Sequence, residues 1–177
     1  MEELFWQYIV KLYRNIPTEV YEGLASIFSI SVVIVLSCWG LRKGVQKIAR
    51  LILIEYSFLI YSSTVFFRQI KESANHCFIP FWSYDAIQNG RNDLLVENVM
   101  NIVVFIPIGL LLGCSFRSIN WWKVLLCGGT MSFTIELFQL FTQRGFSELD
   151  DVIHNTIGSV IGYGIFKFCQ MIKLAGV

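Results

Sequence analysis

Apolar residues fall in long runs along the chain. Five segments approach the roughly 20 apolar residues that a helix needs to cross the hydrocarbon core of a membrane. They cover residues 21–40, 51–67, 98–116, 122–141 and 152–172. The connections between them are short except for residues 68–97, which are too polar to span. The pattern predicts an all-α, polytopic membrane bundle of about five transmembrane helices, forming a single domain over residues 1–177.

The residues ahead of the first apolar segment repeat at helical spacing. Their apolar positions are Leu4, Phe5, Tyr8, Ile9, Leu12 and Tyr13. This spacing predicts an N-terminal amphipathic helix in the membrane interface, with a flexible terminus as the alternative. The first segment is too long for the core of a cleaved signal peptide, and a basic cluster follows it instead of a cleavage site.

Composition supports the membrane assignment. Of the 177 residues, 55% are hydrophobic and 15% are charged, whereas a soluble domain carries about 25% charged residues. The formal net charge of +1 and the lack of a long basic run disfavour a nucleic-acid partner. The five cysteines show no metal-ligand spacing, so we expect no metal site and no cofactor.

The distribution of charge predicts the orientation. Lys and Arg collect in cytoplasmic loops. If the basic loop after the first segment is cytoplasmic, the cytoplasmic segments hold more basic residues than the outer ones, and most acidic residues lie outside. We therefore expect a multi-pass protein of the cell membrane with its N-terminus outside and its C-terminus in the cytoplasm.

Polar side chains interrupt the last three apolar segments, where they are costly and usually face the bundle interior. They occur three or four residues apart, so each pair shares a helical face. In the expected orientation, all three pairs lie near the outer surface and predict one polar pocket. We expect Arg144 to pair there with Glu136 or Asp151. The candidate ligand-binding residues are Asn98, Asn101, Glu136, Gln139, Arg144, Asp151 and Asn155.

A purely structural role is the alternative for these side chains, because amides and carboxylates can hydrogen-bond one helix to another. Two G-x-x-x-G patterns, at residues 109–113 and 158–162, predict close approach of helix backbones. We expect these glycines to shape the pocket by packing and to take no part in chemistry.

The same segments resemble the VanZ-like membrane protein family. The matching stretches are Asn101-Ile-Val-Val-Phe-Ile-Pro-Ile-Gly109, Glu136-Leu-Phe-Gln139, Arg144, and Asp150-Asp151-Val-Ile-His-Asn155-Thr-Ile-Gly158. Their order and spacing are specific, and the resemblance covers residues 51–172. It implies a protein of the Gram-positive cell envelope, linked to resistance towards teicoplanin-type lipoglycopeptide antibiotics. It also implies functional roles for the polar residues of these stretches.

Three functions remain open. The first is binding or modification of an outer-leaflet amphiphile: a membrane lipid, a cell-wall lipid precursor, an anionic polymer or the antibiotic itself. The second is an enzyme acting on a lipid-linked envelope substrate, with Glu136 and Asp151 as general acid and base or as ligands of a divalent cation. The third is a small lipid transporter or flippase that uses Glu55 and Glu136 as two stations.

Overall fold

A computed structural model describes residues 44–72 and 75–174, together with Trp6, Val10, Thr18 and Glu22. Apart from those four residues, the first predicted segment and the predicted amphipathic helix lie outside the described residues.

Within the described residues, five α-helices, one short π-helical turn and two three-residue strands follow one another. The helices are α1 Gly44–Tyr61, α2 Trp82–Gln88, α3 Asn92–Ser115, α4 Trp121–Thr142 and α5 Leu149–Leu174. The π-helical turn, Ser62–Phe66, continues directly from α1. The strands are β1 Asn75–Cys77 and β2 Phe146–Glu148.

Each predicted apolar segment that lies within the described residues forms a helix. Among the described residues, three helical stretches are long and apolar enough to cross a membrane: Gly44–Phe66, Asn92–Ser115 and Trp121–Thr142. The third of the predicted segments begins six residues earlier than expected, since α3 starts at Asn92 rather than at Asn98. Helix α5 has 26 residues, but its polar positions lower its hydropathy, and it is not among these three.

Many polar side chains lie inside the helical bundle, beside an apolar core, and many large apolar side chains are exposed on its outside. On α5, Asn155 and Ser159 are buried, whereas Ile157, Ile161 and Phe168 are exposed, Phe168 by 60%. This arrangement would be unfavourable in water, where large exposed apolar surfaces are rare. It suits a hydrocarbon environment, and the chain is accordingly a membrane protein.

Close contact between α3 and α5 forms the centre of the bundle. An added Cβ at Gly109 would collide with the carbonyl group of Ser159, and one at Gly158 would collide with the carbonyl group of Ile102. A Cβ at Gly162 would likewise meet the backbone of α3. The close backbone approach predicted from the two G-x-x-x-G patterns is therefore confirmed.

A small parallel sheet adds to the helical architecture. Strand β1 pairs with β2 so that Asn75 lies opposite Phe146 and Cys77 lies opposite Glu148. No pattern in the sequence predicted this sheet. It joins the 68–97 connection to the turn between α4 and α5, and the end of the bundle where it lies is called the sheet end below.

Candidate functional site

A cavity of about 120 Å³ lies at the sheet end, among α1, α3, α4 and α5. Its floor is apolar and includes Ile60, Phe105 and Ile135. A cavity of this size has room for a small polar group or a few water molecules. The polar lining consists of Ser63, Thr64, Arg68, Glu97, Asn101, Glu136, Gln139, Asp151 and Asn155.

Five of the seven predicted site residues line this cavity, although they come from three helices that are distant in sequence. They are Asn101, Glu136, Gln139, Asp151 and Asn155. The structure thus places the polar faces of α3, α4 and α5 at one level. Their role in ligand binding stays a prediction.

Each carboxyl group predicted for the pocket accepts a hydrogen bond from a neighbouring element. Asp151 Oδ1 accepts from Asn101 Nδ2 at 2.6 Å, which links α5 to α3. Glu136 Oε2 accepts from the backbone N–H of Glu148 at 2.8 Å, which links α4 to β2. These bonds fix the two carboxyl groups in position at the cavity wall.

The amide side chains of the cavity also connect elements. Asn155 Nδ2 donates to Ser132 Oγ at 2.8 Å, joining α5 to α4. Gln139 Nε2 donates to the carbonyl oxygen of Thr64 at 3.2 Å, joining α4 to the π-helical turn. Gln139 Oε1 is buried and has no hydrogen-bond partner in the part of the protein that the structure describes.

Arg144 does not reach this cavity, so the expected pairing of Arg144 with Glu136 or Asp151 was wrong. Its guanidinium donates instead to the carbonyl oxygens of Val65 and Phe66 at the end of the π-helical turn. The reason is the backbone path after α4. Gln143 has a positive φ of 57°, and this left-handed residue ends the helix and directs the following arginine towards the end of the π-helical turn.

Arg68 is the basic residue that the structure brings to the cavity in place of Arg144. It lies within electrostatic range of Glu136, Glu148 and Asp151. The sequence contained a usable signal, since Arg68 follows the second apolar segment at its outer end in the predicted topology. That depth matches the level of the polar pairs on the other helices.

Asn98 also lies outside the cavity lining. Its Nδ2 donates to Ser83 Oγ at 3.0 Å, so it joins α3 to α2 although it was predicted to bind ligand. Ser83 in turn contacts Asp150, whose carboxylate accepts from the backbone N–H and the Oγ of Ser83 at 3.0 and 2.6 Å. Asp150 also accepts from the backbone N–H of Phe81 at 2.5 Å, and it is fully buried.

Glu148 lies next to the cavity, since its backbone N–H donates to Glu136 Oε2. Glu148 Oε2 accepts from Trp82 Nε1 at 2.9 Å, which ties α2 to β2. Burial raises the pKa of Glu148 to about 7, and the negative charge of Glu97 adds to this shift. Neither Glu148 nor Asp150 was predicted as a site residue. Glu148 lies in the short connection between α4 and α5, and Asp150, at the start of α5, lies ahead of the apolar segment predicted at residues 152–172.

The aromatic residues of the 68–97 connection divide into two groups. Trp82 and Tyr84 attach the connection to the bundle, since Tyr84 Oη lies 2.9 Å from His154 Nε2 on α5. Phe78 and Phe81 are more than half exposed. The connection therefore packs over the sheet end and presents an apolar surface away from it.

Comparison with known proteins identifies the family. A family model described as VanZ/LLP1 matches residues 47–170, more than half of the chain. The chain belongs to the VanZ/LLP1 family. It is 33% identical over 70 residues to Protein VanZ of Enterococcus faecium. That alignment covers 40% of this chain and 44% of the relative, and no solved structure matches.

The range shared with the VanZ/LLP1 family contains the entire cavity. It begins within α1 and ends within α5, so every lining residue falls inside it. Within the described part of this VanZ-family chain, no three His, Cys, Asp or Glu side chains are placed so that they could hold a metal ion.

Proposed function

We propose that this VanZ-family protein binds the head of an outer-leaflet amphiphile in the polar cavity and thereby contributes to teicoplanin-type antibiotic resistance. The cavity carries this proposal, because ionisable and amide side chains from three helices, together with Arg68 of the 68–97 connection, converge at one end of a bundle with an apolar exterior. Polar groups within a membrane bundle are functional candidates by default. A membrane lipid, a cell-wall lipid precursor or the lipoglycopeptide itself fits this description.

An apolar groove beside the cavity supports an amphiphilic ligand. A second, more open hollow of about 520 Å³ is lined by Val65, Phe66, Ile70, Phe138, Thr142 and Arg144. The π-helical turn separates this hollow from the cavity, with Ser63 and Thr64 on the cavity side and Val65 and Phe66 on the other. An acyl chain lying along this groove leaves its head beside the cavity.

The proposal includes the topology expected from the sequence. Five membrane spans, with the N-terminus outside, place the sheet end at the outer surface. Helix α5 is the fourth described span in this arrangement, and its polar face is directed inwards against α3 and α4. A ligand then enters from the outer leaflet, where lipoglycopeptides and cell-wall precursors are found.

The test uses the two carboxyl groups of the cavity. We expect Glu136→Gln and Asp151→Asn to weaken binding of teicoplanin or lipid-linked precursor to the purified protein about 10-fold or more, since a hydrogen bond to a charged group contributes about 1.5–3 kcal/mol. Teicoplanin resistance of a susceptible host expressing the variants falls in parallel. Asp85→Asn is the matched control, because Asp85 is exposed on α2 and should leave both measurements unchanged.

Three results would contradict the proposal. Wild-type protein that binds none of these ligands saturably removes the binding function. Unchanged binding in both cavity variants would show that the ligand binds outside the cavity. Equal resistance in the wild type and the two variants would show that the cavity does not contribute to resistance.

A further inference from the structure

The hydroxyl groups of the cavity donate their hydrogen bonds to oxygen atoms of the protein. Ser63 Oγ donates to the carbonyl oxygen of Ile60 at 2.9 Å, and Thr64 Oγ1 donates to the same oxygen at 2.7 Å. A hydroxyl group has a single proton and two acceptor lone pairs. Both side chains therefore have acceptor capacity left over and no donor.

The amide groups also donate inside the protein, each through one of the two N–H groups on its nitrogen. The side-chain nitrogens of Asn101, Gln139 and Asn155 each donate to another protein oxygen. At Gln139 the complementary oxygen, Oε1, accepts no hydrogen bond from any described residue, although Gln139 is only 4% exposed. A buried acceptor without a donor is unfavourable, so a ligand N–H or O–H placed at this oxygen is favoured.

The charges of the lining point the same way. The carboxyl groups of Glu97, Glu136 and Asp151 face one guanidinium, that of Arg68. Carboxyl groups that share a poorly solvated site need protons, a cation or a basic partner. A cationic ligand group supplies both the positive charge and the hydrogen-bond donors.

Arg68 lies near the same oxygen. It is half-buried, and the point where an added Cβ of Gly145 would stand is 2.8 Å from Arg68 Nη1 and 3.1 Å from Gln139 Oε1. One small ligand head can therefore contact both groups. Within the described residues, Arg68 forms no direct ion pair. Its guanidinium is therefore available to an anionic group next to the acceptor-rich part of the cavity.

On these grounds, and resting on the proposed binding function, we propose that the ligand head is a zwitterion with a primary ammonium group. The ammonium donates to Gln139 Oε1 and lies beside Glu136 and Asp151. The anionic group, a phosphate or a carboxylate, pairs with Arg68. An aminoalkyl phosphate has this chemistry, whether it belongs to a lipid or is free in solution.

The experiment compares lipid heads that differ in one feature. Full-length protein in detergent micelles is titrated with short-chain phosphatidylethanolamine, phosphatidylcholine or phosphatidylglycerol, and binding is measured by native mass spectrometry. Phosphatidylcholine keeps the positive charge but has no N–H, and phosphatidylglycerol has no cation. We expect phosphatidylethanolamine to bind at least 10-fold more tightly than either.

Free O-phosphoethanolamine shows whether the head suffices without acyl chains. Displacement of the bound lipid supports the head as the recognised part, whereas failure to displace it overturns that assignment.

Variants of Gln139 and Arg68 test the two halves of the proposal. Gln139→Leu removes the acceptor and should reduce the preference for phosphatidylethanolamine over phosphatidylcholine to less than about threefold. Gln139→Glu keeps an acceptor at the same place and should retain that preference, which guards against misfolding as an explanation. Arg68→Gln should weaken the binding of all three phospholipids.

The outcomes separate this inference from the proposed function. Equal affinity for phosphatidylethanolamine and phosphatidylcholine, or a preference that survives Gln139→Leu, overturns the ammonium assignment. The proposed function still stands in that case if Glu136→Gln and Asp151→Asn weaken binding of teicoplanin or precursor about 10-fold or more. If the two variants bind both teicoplanin and the precursor as tightly as the wild type does, the proposed function itself is overturned.

Discussion

Asp150 is the residue on which the packing of α2 depends. Its carboxylate accepts three hydrogen bonds, from the backbone N–H groups of Phe81 and Ser83 and from the hydroxyl of Ser83. The N–H groups at the beginning of a helix have no partner within that helix. Asp150, from α5, therefore caps a helix that is 69 residues away at Phe81.

We expect Asp150→Ala to lower the free energy of unfolding by about 1–3 kcal/mol, because it leaves buried donors without an acceptor. Thermal unfolding of the detergent-solubilised protein measures the change. Asp93→Ala is the control: Asp93 pairs with Arg91 on the surface, and an exposed pair contributes about 0–1 kcal/mol. Equal losses in the two variants would contradict the capping role.

Glu148 gives the protein a pH-dependent stability. Its pKa is about 7 in the folded protein, against an ordinary value of 4.5, so the folded state holds a proton that the unfolded state releases. The resulting contribution to stability is fully present below about pH 4.5 and is lost as the pH rises to about 7.

Glu148→Gln should flatten this pH dependence by on the order of 1 kcal/mol, allowing for the screening of a partly solvated group. Unfolding midpoints measured between pH 4.5 and pH 8 for both proteins give the difference. The glutamine keeps an acceptor for Trp82 Nε1, so the contact between α2 and β2 is preserved. Parallel curves for the two proteins would contradict the prediction.

At the level of residues, the sequence predicted side chains on regular helices well. Helical spacing and depth brought Asn101, Glu136 and Asp151 to one cavity as expected. Arg144 was misplaced because it lies in a turn whose direction depends on the left-handed backbone of Gln143. No periodicity in the sequence reports such a local conformation.

Among the elements, the contact between α3 and α5 is the most sensitive to added volume. Gly158→Ala should destabilise the protein by about 1–3 kcal/mol, because its Cβ collides with the carbonyl group of Ile102 and the two helices must separate. Gly164→Ala on the same helix meets no atom and should be neutral or stabilising by up to about 1 kcal/mol.

Thermal unfolding of these two variants provides a matched comparison. Both change glycine to alanine on α5, so helix propensity alone predicts the same sign for each. From the packing, we expect Gly158→Ala to destabilise the protein and Gly164→Ala to leave its stability unchanged or raise it. A stabilised Gly158→Ala protein would show that the backbones of α3 and α5 are not in contact.

The helices were predictable from runs of apolar residues, whereas the strands were not. Strands β1 and β2 have only three residues each, too few to show alternation. They pair in parallel from positions about 70 residues apart, and the neighbouring helices bring them together. The π-helical turn escaped prediction for a similar reason, since it continues the apolar run of α1 without interruption.

For the whole molecule, hydropathy alone gives an incomplete account of the membrane helices. Helix α5 buries Asp150, His154 and Asn155 and exposes isoleucine and phenylalanine side chains. The buried polar groups lower its average hydropathy, although they do not face lipid. A span with a polar inner face is therefore better recognised by its pattern than by its mean.

The proposed topology can be tested by cysteine labelling in cells with a membrane-impermeant maleimide, with Cys77 replaced by serine. A cysteine at the exposed position of Asn89, at the end of α2, should react in intact cells. A cysteine at the exposed Ser118, between α3 and α4, should react only after the membrane is opened. The reverse pattern would put the cavity on the cytoplasmic side.

The π-helical turn makes the protein vulnerable to changes in chain length. It holds one more residue per hydrogen-bonded turn than an α-helix, since Phe67 N–H donates to the carbonyl oxygen of Ser62. Deleting one residue there would restore α-helical geometry and rotate the following positions by about 100°. Ser63 and Thr64 would then no longer line the cavity while Val65 and Phe66 line the open hollow. Loss of a single codon in this stretch should therefore be more damaging than most substitutions within it.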